Sequence, residues 1–165
     1  MAEVAAKDRL YPSLLDRLTD DEPAKKHEPA EARALSMDRL RKSVLRDVNW
    51  LFNATRLDAD LSDYPHVARS VLNYGLPALS GCPASNIRVV ELSRALREML
   101  VNFEPRLIPA TVRVHAETSD EMSHNVIVFR IEAQLWSQPV PIELMMRTDI
   151  NLENGQTRVV EGVTN

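Results

Sequence analysis

The chain has 165 residues, of which 44% are hydrophobic, and a formal net charge of -4 from 20 basic and 24 acidic residues. A chain of this length buries one sizeable core, and its mixed charges give no reason to expect nucleic acid as a partner. The lone Cys82 excludes an internal disulfide and a cysteine metal cluster. Since no apolar run reaches the roughly 18 residues of a membrane span, we expect a cytoplasmic protein without direct membrane insertion.

Residues 1–35 are predicted to form a flexible N-terminal segment outside the core. Prolines interrupt this segment, and its charged stretches hold too little apolar content to offset the entropy of ordering. Within it, Leu10, Leu14 and Leu18 recur at helical spacing and predict a short amphipathic helix that begins near Pro12. This helix either packs on its own domain or docks in a partner's groove, and the pattern leaves both open.

The first long helix is predicted over residues 37–54, with Ser36 as its N-cap. Its apolar face consists of Met37, Leu40, Val44, Val48, Leu51 and Phe52. The opposite side is basic, with a tryptophan at its edge. A basic stripe is usually a solvated face, although Trp and Arg are enriched where partners bind. The secondary candidates for partner contacts are therefore Leu14, Leu18, Arg39, Lys42, Arg46 and Trp50.

Two further helices are predicted before the chain changes character. A short one runs through residues 67–72 and stops before Gly75, which fits the left-handed position after a helix. The next begins at Ser85 or Asn86. Its buried stripe consists of Val89, Leu92, Leu96, Met99, Leu100 and Phe103.

The last helix is predicted to end at residues 103–107, a segment that we call the elbow. Pro105 lacks a backbone N–H and disfavours helical geometry at Glu104. In an extended segment the side chains of Glu104 and Arg106 project to one side, where they pair with each other or bind matching groups on a partner. The alternative interpretation is a simple helix stop with a solvated ion pair worth about 0–1 kcal/mol.

Beyond the elbow, the apolar period changes from 3.6 to 2. Alternation predicts strands at residues 112–117, 127–135 and 142–150, and Asn154-Gly155 predicts a hairpin into a short last strand. We therefore expect a single α+β domain over residues 36–165, with about three helices packed on a small antiparallel C-terminal sheet of three to four strands.

No enzymatic site is predicted. The chain has no Gly-rich phosphate loop, no nucleophile motif and no histidines at ligand spacing, so we expect neither a cofactor nor a metal. A glycan hydrolase needs two carboxylates, one of them protonated, whereas the neighbouring Arg106 favours an ionised Glu104. A peptidoglycan hydrolase with Glu104 as the acid is kept as the alternative function.

Five separated stretches, residues 12–18, 47–53, 70–77, 103–107 and 144–150, match one family pattern in the family's order. Through them the chain resembles the TssE family, the small baseplate wedge proteins of bacterial type VI secretion systems, and the related wedge protein of contractile-tail phages. Some members are labelled lysozyme-like, but the missing second carboxylate argues against transferring that activity.

The resemblance implies a structural role in a contractile injection machine. It implies that Glu104, Pro105 and Arg106 hold the protein to the wedge subunits TssF and TssG, with TssK as a further contact through the baseplate. It also implies that the C-terminal strands offer an edge on which the first ring of the TssB/TssC sheath assembles, in a cytoplasmic baseplate docked at the inner membrane complex. An interaction module of an unrelated complex is the third hypothesis.

Overall fold

The computed structural model describes residues 13–19, 23–24, 37–79, 89–117, 126–137 and 140–162. The helices in these ranges are α1 Leu14–Leu18, α2 Met37–Asn53, α3 Pro65–Ala68 and α4 Val89–Phe103. The strands are β1 Arg113–Glu117, β2 Val126–Leu135, β3 Ile142–Asn151 and β4 Thr157–Glu161. All four strands pair antiparallel in the order β1-β2-β3-β4. The predicted α+β class and its C-terminal antiparallel sheet are confirmed.

The hydrophobic core lies between the two long helices and one face of the sheet. Helix α2 packs beside β4, and α4 packs beside β1. The inward residues of β2 alternate with outward ones as predicted, and they are Ile127, Phe129, Ile131, Ala133 and Leu135. The helices contribute Leu40, Val44, Val48, Leu51, Phe52, Leu92, Leu96, Met99 and Leu100. Each such side chain adds about 1.5–3 kcal/mol by burial, so this core fixes the positions of α2 and α4.

The strongly periodic helices match their predicted bounds closely. Helix α2 ends one residue before the predicted limit, and α4 ends at Phe103, where the elbow begins. Met37 departs from the predicted apolar face, because its side chain is 43% exposed at the start of α2. The N-caps predicted at Ser36 and at Ser85 or Asn86 lie outside the described residues.

The prediction of one short helix through residues 67–72 is wrong. Helix α3 ends at Ala68, and a separate 3-10 turn covers Val71–Asn73. Ser70 separates the two, because its hydroxyl donates to Val67 O (2.9 Å) and accepts from Leu72 N (3.3 Å), a side-chain bond that competes with continued helix. Val71 and Leu72 are consequently exposed.

Gly75 confirms the prediction of a left-handed residue, with φ of 113°. A Cβ at this position would overlap the carbonyl oxygen of Ala54. The same backbone groups hold the segment in place, since Leu76 N donates to Ala54 O at 2.9 Å. Glycine is therefore required for the chain to pass the end of α2 at this distance.

Candidate functional site

The elbow is a turn rather than the extended segment that the sequence predicts. Glu104 N still donates to Leu100 O (3.0 Å), and Leu107 N then donates back to Glu104 O (3.2 Å). The turn brings the Glu104 and Arg106 side chains together as a bidentate pair. Arg106 Nε donates to Glu104 Oε1 and Arg106 Nη2 donates to Glu104 Oε2, both at 2.6 Å. Glu104 and Arg106 therefore pair with each other, as one of the two predicted alternatives has it. Pro105 is exposed at the tip of the turn.

Strand β2 holds the backbone on the far side of the elbow. Arg106 O accepts a hydrogen bond from Trp136 N, and Ile108 N donates to Gln134 O, both at 2.8 Å. Leu107 lies between them and is 2% exposed in the core. Because α4 fixes one end of the elbow and β2 the other, Arg106 cannot move far without breaking backbone hydrogen bonds.

Helix α2 supplies further partners for Arg106. Its Nη2 donates to Asp47 Oδ2 (2.7 Å), and its Nη1 donates to Ser43 Oγ (3.0 Å). Glu104 is 4% exposed, whereas the side chains of Arg106 and Asp47 are each 23% exposed. Burial alone would lower the pKa of Arg106, but the hydrogen bonds and charges of Glu104 and Asp47 outweigh it and raise that pKa above its ordinary value.

A second arginine connects this pair to the N-terminal helix. Arg46 binds Asp47 Oδ1 through Nη2 (2.8 Å) and donates to Asp16 Oδ1 through Nη1. Asp16 Oδ2 accepts from the hydroxyls of Ser43 and Ser13, both at 2.6 Å. The hydrogen bond from Arg46 holds the pKa of Asp16 well below its usual range, although burial opposes this. The hydrogen bond that Arg46 donates to Asp16 in turn raises the pKa of Arg46.

Five side chains therefore alternate in charge across three elements. We call this set the charge chain; its order is Glu104, Arg106, Asp47, Arg46 and Asp16. Ser43 bridges its two halves, because its hydroxyl donates to Asp16 and accepts from Arg106. The arrangement ties α1, α2 and the elbow into one polar surface.

The aromatic side chain of Tyr74 borders this surface. Its ring meets Phe103 edge-on, with 5.4 Å between the ring centroids. Burial raises the pKa of Tyr74, and the negative charges of Asp47 and Glu104 add to the effect. Four of the five stretches that carry the family resemblance thus converge here, through Asp16, Asp47, Tyr74 and the elbow itself.

The secondary candidates divide into two groups. The later part of the predicted amphipathic helix is confirmed as α1, while Leu10 and Pro12 lie outside the described residues. Helix α1 contacts α2 through Asp16, and its Leu14 and Leu18 side chains are 69% and 73% exposed. Its polar side therefore packs on its own domain, and its apolar side does not. The guanidinium of Arg46 lies over the half-exposed Trp50 ring at 5.1 Å.

Arg39 and Lys42 are exposed on the same helix. They are not members of the charge chain.

Three residues of the site escaped the sequence prediction: Ser43, Asp47 and Asp16. Two of them lie inside stretches that carry the resemblance, residues 47–53 and 12–18. Ser43 and Asp47 are four residues apart and so share one side of α2. The four-residue spacing of Ser43 and Asp47, next to Arg46, is the sequence pattern that could have indicated this part of the site.

The geometry favours charge-assisted binding over proton transfer. Both oxygens of Glu104 are bound by Arg106, so neither oxygen is open to a substrate. Among the described residues, no group of three His, Cys, Asp or Glu side chains could hold a metal ion. No helix within the described ranges has the length and apolar character needed to cross a membrane.

Comparison with known proteins identifies the family. Residues 38–140 match the family described as baseplate wedge protein gp25, a span of more than half of the 165 residues. This span begins within α2, includes the elbow, β1 and β2, and ends before β3. No curated protein and no solved structure matches the chain. The family match and the site together lead to one conclusion: the chain belongs to the baseplate wedge protein gp25 family.

Proposed function

We propose that the protein is the TssE-type wedge component of a type VI secretion baseplate, and that its elbow binds the wedge subunits TssF and TssG. The family match supports a structural role in a baseplate assembly. The observation that carries the elbow assignment is the state of Arg106, a partly exposed guanidinium on a backbone fixed from both sides.

The hydrogen bonds of Arg106 support this role. A guanidinium has five N–H donors, and four are used in bonds to Glu104, Ser43 and Asp47. One N–H on Nη1 has no acceptor among the residues that the structure describes, and we propose that it binds an acceptor on a partner. In this proposal Glu104 acts from the buried side by positioning Arg106, and the exposed Pro105 contacts the partner directly.

The secondary candidates extend the same surface. Arg46 connects the charge chain to α1 and to Trp50. The exposed Leu14 and Leu18 lie on α1. A partner that covers the elbow would reach apolar side chains beside it, which is the usual composition of a binding surface. We include Arg39 and Lys42 as exposed cations on α2 that contribute mainly to the rate of association.

The second part of the proposal concerns the sheath. A sheet whose outer strand is exposed can be extended by a strand from another chain through main-chain hydrogen bonds. We propose that the sheet receives the first TssB/TssC subunits in this way, within a cytoplasmic baseplate that contacts TssK and docks at the inner membrane complex.

We propose no catalytic activity. A hydrolase would need a protonated carboxyl and a second carboxylate placed about 5–9.5 Å away across the sugar. Glu104 is nearly inaccessible and is bound on both oxygens. Incubation with purified peptidoglycan is therefore expected to release no soluble fragments, and release that depends on Glu104 would support the hydrolase alternative instead.

The proposal is tested by co-expressing the protein with TssF and TssG from the same bacterium and measuring co-purification. Wild type is expected to bind and Arg106→Ala to lose binding. The control is Arg147→Ala, which removes an exposed arginine paired with Asp149 (3.1 Å) on β3 and is expected to bind normally. Each variant is checked for folding by circular dichroism.

A second variant protects this test against misfolding. Arg106→Ala leaves a buried carboxylate without its partner, whereas the double variant Glu104→Gln, Arg106→Gln removes both charges at once. The double variant is expected to fold and still fail to bind. If either folded variant binds as wild type does, the elbow is only a helix stop.

A further inference from the structure

The two edge strands of the sheet, β4 and β1, are not equivalent. In an antiparallel ladder, alternate residues bond to the neighbouring strand and the residues between them face outward. Asn151 N donates to Gln156 O (2.9 Å) and Gly162 N donates to Met145 O (2.8 Å), so the even-numbered residues bond to β3. The outward backbone groups of β4 therefore belong to Thr157, Val159 and Glu161.

Two asparagines of α2 bind three of these six outward backbone N–H and C=O groups. Asn53 Oδ1 accepts from Thr157 N (2.9 Å), and Asn53 Nδ2 donates to Thr157 O (2.7 Å). One helical turn earlier, Asn49 Oδ1 accepts from Val159 N at 3.3 Å. We call these contacts the asparagine clamp.

The clamp imitates a neighbouring strand. A side-chain amide carries the same donor and acceptor as a peptide group. Four residues of helix rise about 6 Å, and two residues of strand advance about 6.6–6.8 Å. Asn49 and Asn53 are four apart, and Val159 and Thr157 are two apart, so the amides match successive outward positions on β4.

The β1 edge has no such cover. Gln134 N donates to Thr111 Oγ1 (2.9 Å) and Gln134 O accepts from Ile108 N (2.8 Å), so the even-numbered residues of β2 face β1. The register pairs them with the odd-numbered residues of β1, and the outward groups therefore belong to Val114 and Ala116. Arg97 Nε binds Val112 O (3.1 Å), one position before the strand. In the part of the chain that the structure describes, no group bonds to the outward N–H and C=O of these two residues.

We propose that the asparagine clamp closes β4 to strand addition and so directs an incoming strand to β1. The occupant is a single extended segment of another protein, three or more residues long, that bonds to the backbone of Val114 and Ala116. The exposed Arg113 and His115 favour a segment with a carboxylate beside them. The inference rests on the sheath role proposed above and specifies where that contact forms.

Amide hydrogen exchange on the full chain tests both edges. Without a partner, the Thr157 and Val159 amides are expected to be protected despite their edge position, while those of Val114 and Ala116 exchange rapidly. Addition of TssB/TssC sheath subunits should protect Val114 and Ala116. New protection on β4 at Glu161 without any on β1 would overturn the inference, as would rapid exchange of Thr157 and Val159 in the free chain.

Substitutions separate this inference from the proposed function. Ala116→Pro removes an outward N–H without removing a bond to β2, and Ala116→Ser keeps that N–H as a matched control. We expect sheath binding to fall at least tenfold for the first and to stay unchanged for the second. If wild type does not bind the sheath, the sheath role and the edge assignment both fail.

If wild type and a folded Ala116→Pro bind equally, the sheath role stands and the β1 assignment is wrong. If Ala116→Pro does not fold, the exchange pattern of wild type decides the question. The clamp itself is tested by a variant with both Asn49→Ala and Asn53→Ala. In the free double variant the Thr157 and Val159 amides should exchange rapidly, as those of Val114 and Ala116 do in wild type; protection that persists at Thr157 and Val159 would contradict the clamp.

Discussion

Helix α2 carries two polar surfaces, one made of ionised side chains and the other of neutral amides. Towards the elbow, Arg46 and Asp47 belong to a chain of full charges that is partly open to solvent. Towards β4, Asn49 and Asn53 use neutral amides to bind backbone groups. Charged groups act over longer distances and respond to pH and salt, whereas amides depend on geometry alone.

This difference suits the two proposed tasks. A docking site benefits from charges because they steer association and leave donors for a partner. A closed edge benefits from amides because they satisfy backbone groups without attracting a charged ligand. We therefore expect substitutions in the charge chain to show pH-dependent effects, and substitutions in the asparagine clamp to show none.

The largest expected effect on stability comes from Arg106→Ala. Glu104 is 4% exposed and would lose the guanidinium that binds both of its oxygens, and breaking a buried pair in this way costs about 3–5 kcal/mol. Urea unfolding at pH 7 measures this loss. The double variant Glu104→Gln, Arg106→Gln should recover most of it, since no buried charge remains.

A loss below about 1 kcal/mol for Arg106→Ala would mean that water reaches Glu104. The elbow would then be a solvated ion pair, as the simpler interpretation of the sequence held. The comparison between the single and the double variant decides this without reference to any partner.

A smaller effect is expected from Asn53→Ala. Thr157 is 6% exposed, and its N–H and C=O would both lose their bonds to the Asn53 amide. Leaving buried backbone groups unpaired costs about 1–3 kcal/mol. The loss of unfolding free energy, measured in urea, should be the same at pH 5 and at pH 8, because no ionised group is involved. Asn102→Ala, at an exposed position of α4, is the control for loss of an asparagine.

If the loss of unfolding free energy caused by Asn53→Ala depended on pH, the asparagine clamp and the charge chain would not be independent. It would indicate that the amides are coupled to the charge chain through α2. An unchanged stability would show instead that water satisfies the Thr157 backbone as well as the clamp does.

Periodic apolar patterns predicted most of the fold. Helix α2, helix α4 and strands β2 and β3 each present a long stripe to one core, and burial of that stripe dominates their free energy. The segment at residues 67–72 lacked such a stripe. The hydroxyl of Ser70 decided its local structure instead, and a contact of that kind has no periodic signature.

The candidate site was predictable only in its local part. Pro105 and the spacing of Glu104 and Arg106 predict the elbow and their pairing. The other partners of Arg106 are Ser43 and Asp47, which are about 60 positions away in sequence, and no local pattern indicates which side of α2 meets the elbow. For the same reason, no sequence pattern indicates that Asn49 and Asn53 bind the backbone of β4.

The smallest expected effect concerns the docking of α1. This helix is held through Asp16, whose carboxylate binds Arg46, Ser43 and Ser13. Its folded pKa lies below the ordinary value, so the docking energy is fully present above pH 5 and declines as the pH falls below about 4. Asp16→Asn should release α1 at pH 7 at a cost of about 1 kcal/mol.

Amide protection of Arg17 and Thr19, which bond within α1, reports the docking of this helix. Asp149→Asn, an exposed carboxylate on β3 paired with Arg147, should leave that protection unchanged. Protection of Arg17 and Thr19 that survives Asp16→Asn would mean that α1 is held by contacts other than the charge chain.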